Sequence, residues 1–216
     1  MIAMNTKIQI VSRATLQRLP RYHTLLKQYA SAGSKTVSCT QLAAELKLDS
    51  SQVRKDIAVT GIIGRPKIGY DVETLIHTIR QFLGWNNVTD AILVGAGNMG
   101  VALMSFDGFA EYGLSIVAAF DSDRAKVGDQ LAGKDILPMD KLPGLVRRLS
   151  IKIGIIAVPQ ESAQEVANLL TLSGIRAIWN FTPVSLDVPA GVIVENVRLS
   201  ESLAVLSKRL AEIIEE

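Results

Sequence analysis

Three glycines at fixed spacing are the residues with the best-defined chemistry in this sequence. Gly95, Gly97 and Gly100 follow an apolar run at residues 90–94 and precede a helix-prone run at residues 101–104. Between a strand and a helix, such glycines permit a tight turn, a close approach of the backbone to a pyrophosphate, and close helix–strand packing. The helix start also offers N–H groups and the positive end of its dipole to phosphate. The sequence therefore predicts a phosphate-binding loop with contacts at Gly95, Ala96, Gly97, Asn98, Met99 and Gly100.

A carboxylate ends the next apolar segment, residues 114–120. Asp121 stands 21 residues after Gly100, where dinucleotide-binding folds place an acid that binds ribose. A carboxylate there accepts hydrogen bonds from the adenosine 2′-hydroxyl and repels a 2′-phosphate, so NAD(H) is favoured over NADP(H). Two alternatives stay open: Arg124 could accommodate a 2′-phosphate, and Asp121 could merely cap a turn.

Charge is distributed unevenly along the 216 residues, although the net charge is only +2. Residues 1–85 contain 12 Lys and Arg against 5 Asp and Glu, a net charge of +7, and the remainder has a net charge of −5. A basic half joined to an acidic half indicates a polyanionic partner for the basic half. A solvated basic surface is the alternative.

Three short helices are predicted in the basic half. Apolar residues recur at helical spacing over residues 12–29. Ser38 and Gln41 form a capping-box pattern for a second helix, and Asp49 is a suitable N-cap for a third that runs to about Val59. Two helices joined by a tight turn describe a helix-turn-helix, whose second helix enters the major groove of DNA.

The third helix and the hairpin after it carry the predicted DNA contacts. With Val53 and Ile57 facing the core, the other faces of this helix are polar. Gln and Arg can read bases through bidentate hydrogen bonds, whereas Lys and Ser are better placed to hold phosphates. Residues 61–70 have the glycines of a tight hairpin with cations near its tip, the form expected of a wing. The predicted DNA contacts are Ser51, Gln52, Arg54, Lys55, Arg65 and Lys67. A helical dimerisation or scaffold domain is the alternative.

Strands and helices alternate after the glycine loop. Strands are predicted at residues 153–158, 177–181 and 192–196, with a helix at residues 160–172. This alternation predicts an α/β fold with a doubly wound parallel sheet, the Rossmann arrangement. Loops at the carboxyl ends of its strands meet the far end of a dinucleotide, although prolines here could simply end strands. These loops add Val158, Pro159, Thr182 and Pro183 to the predicted site.

The last segment contains an amphipathic helix with apolar residues Leu199, Leu203, Leu206, Leu210 and Ile213 or Ile214. We expect this helix to pair with a second copy, because a helix-turn-helix usually reads a two-fold operator. Packing within one chain is the alternative. The predicted organisation is a DNA-binding domain at residues 1–85, a Rossmann domain at residues 86–198 and the helix at residues 199–216.

Composition and residue counts argue against other classes of protein. No apolar run approaches the roughly 18 residues that span a bilayer, and the first ten residues lack a cleavable signal, so we expect a cytoplasmic protein. Cys39 is the single cysteine, with no neighbouring Cys or His to complete a metal site. We therefore expect no metal.

Enzymatic turnover is the less favoured interpretation. A nicotinamide dehydrogenase needs a proton-transfer residue and a substrate pocket, yet no histidine follows His77, and only 116 residues follow Gly100. A ligand sensor coupled to DNA binding is therefore preferred. A small NAD-dependent oxidoreductase and a binding module for CoA or another adenine nucleotide are the alternatives.

Six groups of residues together resemble one known family. They are residues 18–22 (Arg-Leu-Pro-Arg-Tyr), 52–56 (Gln-Val-Arg-Lys-Asp), 69–70 (Gly-Tyr), 94–100, 120–123 with Lys126 and Gly128, and 180–183 (Asn-Phe-Thr-Pro). This combination is similar to the Rex redox-sensing repressors. The resemblance implies a homodimer with a winged-helix domain, a Rossmann domain and a C-terminal helix exchanged between subunits, and it adds Ser122 and Lys126 to the NAD(H) site. It also implies release from pseudo-palindromic operators when NADH replaces NAD+, which derepresses genes for NADH reoxidation and fermentation.

The sequence departs from that family at four positions. Phe106 stands where a tyrosine is usual and Arg198 where an aspartate is usual; both positions help couple cofactor state to domain closure, and Arg18 is the usual partner of that aspartate. In the wing, Lys67 replaces a usual glycine and Thr60 a usual aromatic residue.

Overall fold

The computed structural model describes residues 11–214. The chain forms two compact units, of which one ends at Asn86 and the other begins at Asn87. Each unit has its own buried apolar core.

Helices dominate the described part of the N-terminal unit. They are α1 (Arg13–Ser31), α2 (Cys39–Leu46), α3 (Ser50–Ala58) and α4 (Val72–Phe82), and the short strands β1 (Thr36–Val37) and β2 (Tyr70–Asp71) pair antiparallel. The three helices predicted from apolar spacing are present, and α2 and α3 form a helix-turn-helix. The predicted hairpin lies between α3 and β2.

Side-chain caps fix the starts of α2 and α3. The Ser38 hydroxyl accepts a hydrogen bond from the Gln41 N–H (3.2 Å), and the Gln41 side chain accepts one from the Ser38 N–H (2.8 Å), which confirms the predicted capping box. The Asp49 carboxylate accepts a hydrogen bond from the Ser51 N–H (2.8 Å) at the start of α3. Lys47 ends α2 with a left-handed φ of 51°, so the chain reverses within the three residues between the two helices.

The core of this unit explains which face of α3 meets solvent. Its largest fully buried side chains are Leu19, Tyr22, Leu26, Leu42, Ile57, Leu75 and Ile79. Val53 and Ile57 of α3 are fully buried in it, as predicted. The rest of α3 is therefore free to meet a partner, apart from one buried carboxylate described below.

A seven-stranded sheet forms the centre of the second unit. Its strands are β3 (Thr89–Val94), β4 (Leu114–Asp121), β5 (Gln130–Leu131), β6 (Lys134–Pro138), β7 (Ile153–Ile156), β8 (Ala177–Asn180) and β9 (Ile193–Asn196). The helices are α5 (Asn98–Met104), α6 (Leu142–Leu149), α7 (Gln160–Ser173) and α8 (Leu199–Ile214), with 3-10 helices at Asp107–Tyr112 and Met139–Lys141. The spatial order is β5-β6-β4-β3-β7-β8-β9.

The sheet is parallel except at one edge, so the predicted Rossmann fold is present with one addition. β5 pairs antiparallel with β6, whereas every other neighbouring pair is parallel. Ala132 and Gly133 join β5 to β6 with positive φ values of 49° and 74°, the geometry of a two-residue type I′ hairpin turn. The sequence did not predict this hairpin or α6.

The strand order places the predicted site residues at one edge of the sheet. β3 lies between β4 and β7. The chain therefore adds β4, β5 and β6 on one side of β3 and then crosses over to add β7, β8 and β9 on the other side. Ligands of doubly wound sheets bind at the carboxyl ends of the strands where this change of direction occurs. The residues after β3, β4 and β7, among them Gly95, Ser122 and Val158, meet at that edge.

Helix α8 has no buried side chain. Every residue from Leu199 to Ile214 is exposed, including Leu203, Leu206 and Leu210. Within residues 11–214 nothing covers the apolar stripe of α8, although a free apolar face of this length is unfavourable in water.

Residues 11–214 show neither a membrane-spanning helix nor a cluster of metal ligands. No helix in this range combines the length and the apolar character that a bilayer span requires. The same residues contain no group of three or more His, Cys, Asp and Glu side chains arranged to hold a metal ion.

Candidate nucleotide site and nucleic-acid interface

The glycine loop after β3 contains two glycines that the fold requires and a third, Gly97, that leaves open space beside it. Gly95 has a φ of 102°, and a Cβ there would run into the Ala157 carbonyl; a Cβ at Gly100 would run into the Gly95 carbonyl. Both positions therefore require glycine for the fold. Gly97 has no heavy atom within 4 Å of where its Cβ would stand, so the space beside it is open to a ligand. α5 begins immediately after it, and the first N–H groups of a helix have no acceptor within the helix.

Asp121 is held in place beside this loop. Its carboxylate accepts hydrogen bonds from the Ala96 N–H (2.8 Å), the Asp123 N–H (2.9 Å) and the Lys126 Nζ (3.2 Å). Burial alone would raise the pKa of Asp121, but the backbone hydrogen bonds and Lys126 outweigh burial and lower it. The carboxylate is therefore ionised and oriented, and Oδ1, which accepts one of these bonds, keeps a lone pair for a ligand hydroxyl.

A cavity of about 800 Å³ opens at this edge of the sheet. It brings together many of the predicted residues, namely Gly95, Gly97, Asp121, Ser122, Lys126, Val158 and Pro159. Its volume falls in the range of pockets that bury a ligand of drug size. The cavity combines a glycine-lined opening, one fixed carboxylate and an apolar wall, which suits an adenosine with its phosphates.

The other predicted residues of the site lie outside the lining of this cavity. Asn98 and Met99 are exposed at the start of α5, whereas Ala96, within the loop, and Gly100, in the first turn of α5, are buried. Thr182 is buried, with its N–H (3.0 Å) and its hydroxyl (2.7 Å) both donating to the Asn180 Oδ1. These last hydrogen bonds fix the loop after β8 and leave Pro183 exposed.

One wall of the cavity was absent from the sequence prediction. Met139 and a face of α7 line it, and the α7 residues are Ser162, Glu165, Val166, Asn168, Leu169 and Leu172. Residues spaced by three and four positions share one face of a helix, so the spacing of Val166 and Leu169 held a signal. That signal could not separate a wall of a cavity from ordinary core packing.

The exposed face of α3 carries three of its four predicted DNA contacts. Ser51, Arg54 and Lys55 are exposed. The Ser51 hydroxyl donates to the Asp49 carboxylate, so it can offer lone pairs to a partner but not its proton. Gln52 is only partly exposed, and its Nε2 donates to the Asp56 carboxylate (2.9 Å). That bond uses one of the two amide protons, so Gln52 keeps its other amide proton and its carbonyl oxygen for a base.

A buried carboxylate that the sequence did not reveal joins α3 to α1. The Asp56 side chain is 1% exposed. It accepts hydrogen bonds from Arg18 Nε (2.5 Å), Arg18 Nη2 (2.8 Å), the Tyr22 hydroxyl (2.6 Å) and the Thr15 hydroxyl (3.0 Å), in addition to the bond from Gln52. We call this set the Asp56 cluster. The Arg18 guanidinium turns inward to this buried charge.

The Asp56 cluster is charged under ordinary conditions. Burial alone would raise the pKa of Asp56, but the hydrogen bonds that its carboxylate accepts, chiefly from Arg18, lower it to about 2. The hydrogen bond with Asp56 in turn raises the pKa of Arg18. Burial, and then the hydrogen bond to Asp56, raise the pKa of the Tyr22 phenol. Asp56 and Arg18 therefore remain an ion pair, and the Tyr22 phenol remains neutral.

The predicted wing forms a narrow turn. The Arg65 N–H donates to the Gly69 carbonyl (2.7 Å), and the Gly69 N–H donates back to the Arg65 carbonyl (2.9 Å). Arg65 and Lys67 are both exposed at the tip. The N-terminal unit thus presents cations on two separate elements, α3 and the wing.

Two of the four positions that depart from the Rex pattern, Phe106 and Arg198, lie in the second unit and have local partners there. Phe106 is 53% exposed, with its ring centroid 4.8 Å from that of Phe109. Arg198 donates from Nη2 to the Ser185 hydroxyl (2.9 Å) and lies 3.8 Å from Glu201 in the first turn of α8. Arg18, the family partner of an acid at position 198, is instead occupied by Asp56 in its own unit.

Comparison with known families and proteins assigns both halves. The family model described as a putative DNA-binding protein N-terminus matches residues 10–58, and the model described as a CoA binding domain matches residues 86–184. The redox-sensing transcriptional repressor Rex of Treponema denticola is 43% identical over 200 residues, which cover 93% of this chain and 95% of the relative.

Solved structures of a Rex-family repressor, RSP, match the whole fold. RSP in complex with β-NAD+ and operator DNA has a TM-score of 0.89 at 36% identity and covers 94% of each chain. RSP in complex with β-NADH has a TM-score of 0.86 at 35% identity, over 94% of this chain and 96% of RSP. With identity at this level along nearly the full length, the chain belongs to the Rex family of redox-sensing transcriptional repressors.

Proposed function

We propose that this protein represses transcription by binding operator DNA and is released when NADH fills its Rossmann site. One observation carries the proposal: a single chain joins an open glycine cradle with a fixed ribose-binding carboxylate to a helix-turn-helix with an exposed basic face. Neither feature alone would indicate a redox sensor. Together they supply a ligand site and an effector surface, the two parts that allosteric control requires.

The dinucleotide is held chiefly by backbone and by Asp121. The open space at Gly97 admits a pyrophosphate against the first turn of α5, with Asn98 and Met99 beside it. Asp121 accepts the adenosine ribose hydroxyls, and Lys126 and Ser122 close the same end of the cavity. The ionised Asp121 repels a 2′-phosphate, which favours NAD(H) over NADP(H).

The far end of the dinucleotide lies against the loops after β7 and β8. Val158 and Pro159 line the cavity on that side, and Thr182 and Pro183 are held by the hydrogen bonds to Asn180. The bound dinucleotide supplies the signal, since its nicotinamide ring is cationic when oxidised and neutral when reduced. These loops are the parts of the unit placed to respond to that difference.

In the complex, α3 contacts the bases of the DNA, and the wing adds contacts to the phosphates or the groove edge. Arg54 is the residue best placed to read a base, because its guanidinium is exposed and can form a bidentate pair with guanine. Lys55, Arg65 and Lys67 hold phosphates or the groove edge, and Ser51 accepts rather than donates. Gln52 can contact a base with its second amide proton and its carbonyl oxygen while its first amide proton stays bonded to Asp56.

The active species is a homodimer whose α8 helices are exchanged between subunits. α8 exposes an apolar stripe that the described residues of its own chain leave uncovered, and a helix-turn-helix repressor uses two-fold symmetry to read a pseudo-palindromic operator. Burial of each leucine of the stripe contributes about 1.5–3 kcal/mol. A protein that acts on the chromosome of a bacterium, as its relatives do, works in the cytoplasm.

Ligand control rather than turnover is the role of the Rossmann site. The relatives carry the name of transcriptional repressors, and no histidine follows His77 in this sequence. The described residues of the second unit form the Rossmann sheet, its flanking helices and α8. Binding without chemistry is sufficient for a sensor.

A DNA-binding titration tests the proposal. Full-length protein is titrated against a labelled duplex from upstream of its own gene, with NADH or NAD+ added, and we expect NADH to weaken binding more than NAD+. DNA affinity indifferent to both would overturn the proposal. Thermal shifts with NADH, NADPH, ATP and CoA identify the ligand class, because a ligand at 100 times its Kd adds about 2.7 kcal/mol of stability. A shift with CoA alone would favour the binding module instead.

A further inference from the structure

Asn180 ends β8 with a fully buried side chain. Its Nδ2 donates to the Val184 carbonyl and to Asn196 Oδ1, both at 2.8 Å. Its Oδ1 accepts hydrogen bonds from the N–H (3.0 Å) and the hydroxyl (2.7 Å) of Thr182. The two protons and the two lone pairs of the amide are therefore all in use, and its orientation is fixed.

The partners of this amide belong to two segments of the chain. One set lies in residues 181–187, which we call the β8 loop. The other partner, Asn196, is the last residue of β9, and two residues separate it from α8. One buried amide therefore ties the β8 loop to the chain that enters α8.

Two further hydrogen bonds strengthen this tie. The Val197 N–H donates to the Asn180 carbonyl (2.8 Å), and Arg198 Nη2 donates to the Ser185 hydroxyl (2.9 Å). Three consecutive residues before α8, 196–198, are thus bonded to Asn180 or to the β8 loop. A shift of the loop is therefore a shift of the start of α8.

The end of the β8 loop is tied to the cavity. Gln164 Nε2 donates to the Asp187 carbonyl (2.7 Å), and the Asp187 N–H donates back to Gln164 Oε1 (2.9 Å). Gln164 belongs to α7, on which the neighbouring Ser162 and Glu165 line the cavity. The β8 loop is therefore held between a wall of the cavity and the start of α8.

The start of α8 controls where the rest of this helix lies. No side chain of Leu199–Ile214 is buried, so the residues before α8 set its direction within the described structure. A helix of 16 residues is about 24 Å long, so a rotation of about 10° at its first turn moves its far end by about 4 Å. A small change in the β8 loop is therefore amplified along α8.

We infer that Asn180 is the positioning residue that couples the dinucleotide site to α8. The inference rests on the proposed function, in which the far end of the dinucleotide lies against Thr182 and Pro183. A change in the β8 loop passes through the buried amide to Asn196 and redirects α8. The paired α8 helices in turn set the spacing of the two recognition helices on the operator.

The test breaks the link at its less buried end. Substitution of Asn180 itself would disturb the core, whereas Asn196 is partly exposed. Asn196→Ala deletes the acceptor of one Nδ2 proton, while the other proton keeps the Val184 carbonyl. Asn196→Asp is the conservative variant, because it keeps an acceptor oxygen at the same place.

The readout is the coupling ratio, the operator Kd of the full-length protein at saturating NADH divided by its operator Kd without NADH. The operator is a duplex that the wild-type protein selects from a randomised pool. We expect Asn196→Ala to lower this ratio by about threefold or more, with NADH affinity and NADH-free operator affinity each within about twofold of the wild type. Asn196→Asp should keep the wild-type ratio.

Asp187→Ala is the matched control within the β8 loop. The Asp187 side chain is exposed, and both bonds to Gln164 use its backbone atoms, so the coupling ratio should not change. Light scattering and thermal melts of each variant check that the mass and the melting temperature match those of the wild type.

The outcomes distinguish this inference from the proposed function. If the wild type binds its operator equally with and without NADH, the proposed function fails and the inference falls with it. If the wild type responds to NADH but Asn196→Ala keeps the full ratio, the Asn180 amide does not carry the signal. A ratio that falls as far in Asn196→Asp or in Asp187→Ala as in Asn196→Ala would also overturn the inference, as would a parallel loss of both affinities in Asn196→Ala.

Discussion

Arg18 and Asp56 form a two-point ion pair, with Nε 2.5 Å from Oδ2 and Nη2 2.8 Å from Oδ1. Arg18 belongs to α1 and Asp56 to the recognition helix α3, so the pair sets the position of α3 on the unit. The carboxylate is 1% exposed and the Arg18 side chain 20% exposed. The orientation of the exposed face of α3 therefore depends on a buried charge.

Arg18→Ala should destabilise the N-terminal unit strongly. Removing one partner of a buried pair leaves the other charge uncompensated, at a cost of about 3 kcal/mol or more. Tyr22 and Thr15 still donate to Asp56, which limits the loss. The change is measured by urea unfolding in a Trp179→Phe background, which leaves Trp85 as the single tryptophan. Arg21→Ala, an exposed change on the same helix, should stay within about 0.5 kcal/mol; equal effects of the two variants would contradict the role of the pair.

The Asp56 cluster should also make this unit acid-sensitive. The pKa of Asp56 in the folded state, about 2, lies below the value of about 3.9 in an unfolded chain. The unfolded state therefore takes up the proton first, and the stabilisation is present above pH 4 and is lost as the pH falls to 2. The shift corresponds to roughly 2.5 kcal/mol. Urea unfolding at pH 5, 3 and 2 measures it, and Asp56→Asn should lose less stability over this range than the wild type does. Parallel pH profiles would show that other carboxylates are responsible.

Gly97→Ala and Gly100→Ala should separate ligand binding from folding. A methyl group at Gly97 meets no protein atom, so we expect an unchanged melting temperature together with a loss of NADH affinity of about tenfold or more, because the methyl occupies the place of the pyrophosphate. A methyl group at Gly100 meets the Gly95 carbonyl, so this variant should lose stability as well. Thermal melts and calorimetric titration with NADH measure the two effects. Undiminished NADH binding by Gly97→Ala would place the pyrophosphate elsewhere.

Local signals made much of this structure predictable. The caps at Ser38 and Asp49 act within three residues, and the glycine loop needs only its own spacing and the strand before it. Asp121 was predicted because the length of one β-α-β unit is nearly constant, and its carboxylate does lie beside the glycine loop. In each case the physical cause lies within a short stretch of sequence, where a pattern can record it.

Contacts across long sequence separations escaped prediction. Asp56 reaches α1 over 38 residues to Arg18 and 41 to Thr15, and no local pattern shows that a helix in the basic half will bury a carboxylate. For the same reason, the sequence did not show that the Gln52 side chain donates a hydrogen bond to Asp56. The hairpin of β5 and β6 was missed because strands of two and five residues are too short to establish an alternation of apolar and polar residues.

Arg54 and Asp121 should affect separate activities. Arg54→Ala removes the best-placed base contact, and we expect operator binding to weaken by about 1–3 kcal/mol while NADH binding is unchanged. Asp121→Asn should do the reverse, with weaker NADH binding and less discrimination against NADPH, because the repulsion of a 2′-phosphate is lost. Fluorescence anisotropy with DNA and titration with each dinucleotide measure the two activities. Loss of both activities in both variants would indicate misfolding.

The apolar stripe of α8 should control assembly. Leu199, Leu203, Leu206, Leu210 and Ile213 are spaced by four and three residues in turn, so they form one seam along the helix. Leu206→Glu places a charge at its centre and should raise the dimer dissociation constant by about a hundredfold or more, whereas Ala204→Glu, on the opposite face, should not. Light scattering over a dilution series measures the mass of each variant. Operator affinity should fall as the dimer dissociates, because a monomer contacts one half-site only. A Leu206→Glu protein that stays dimeric would place the subunit contact on another surface.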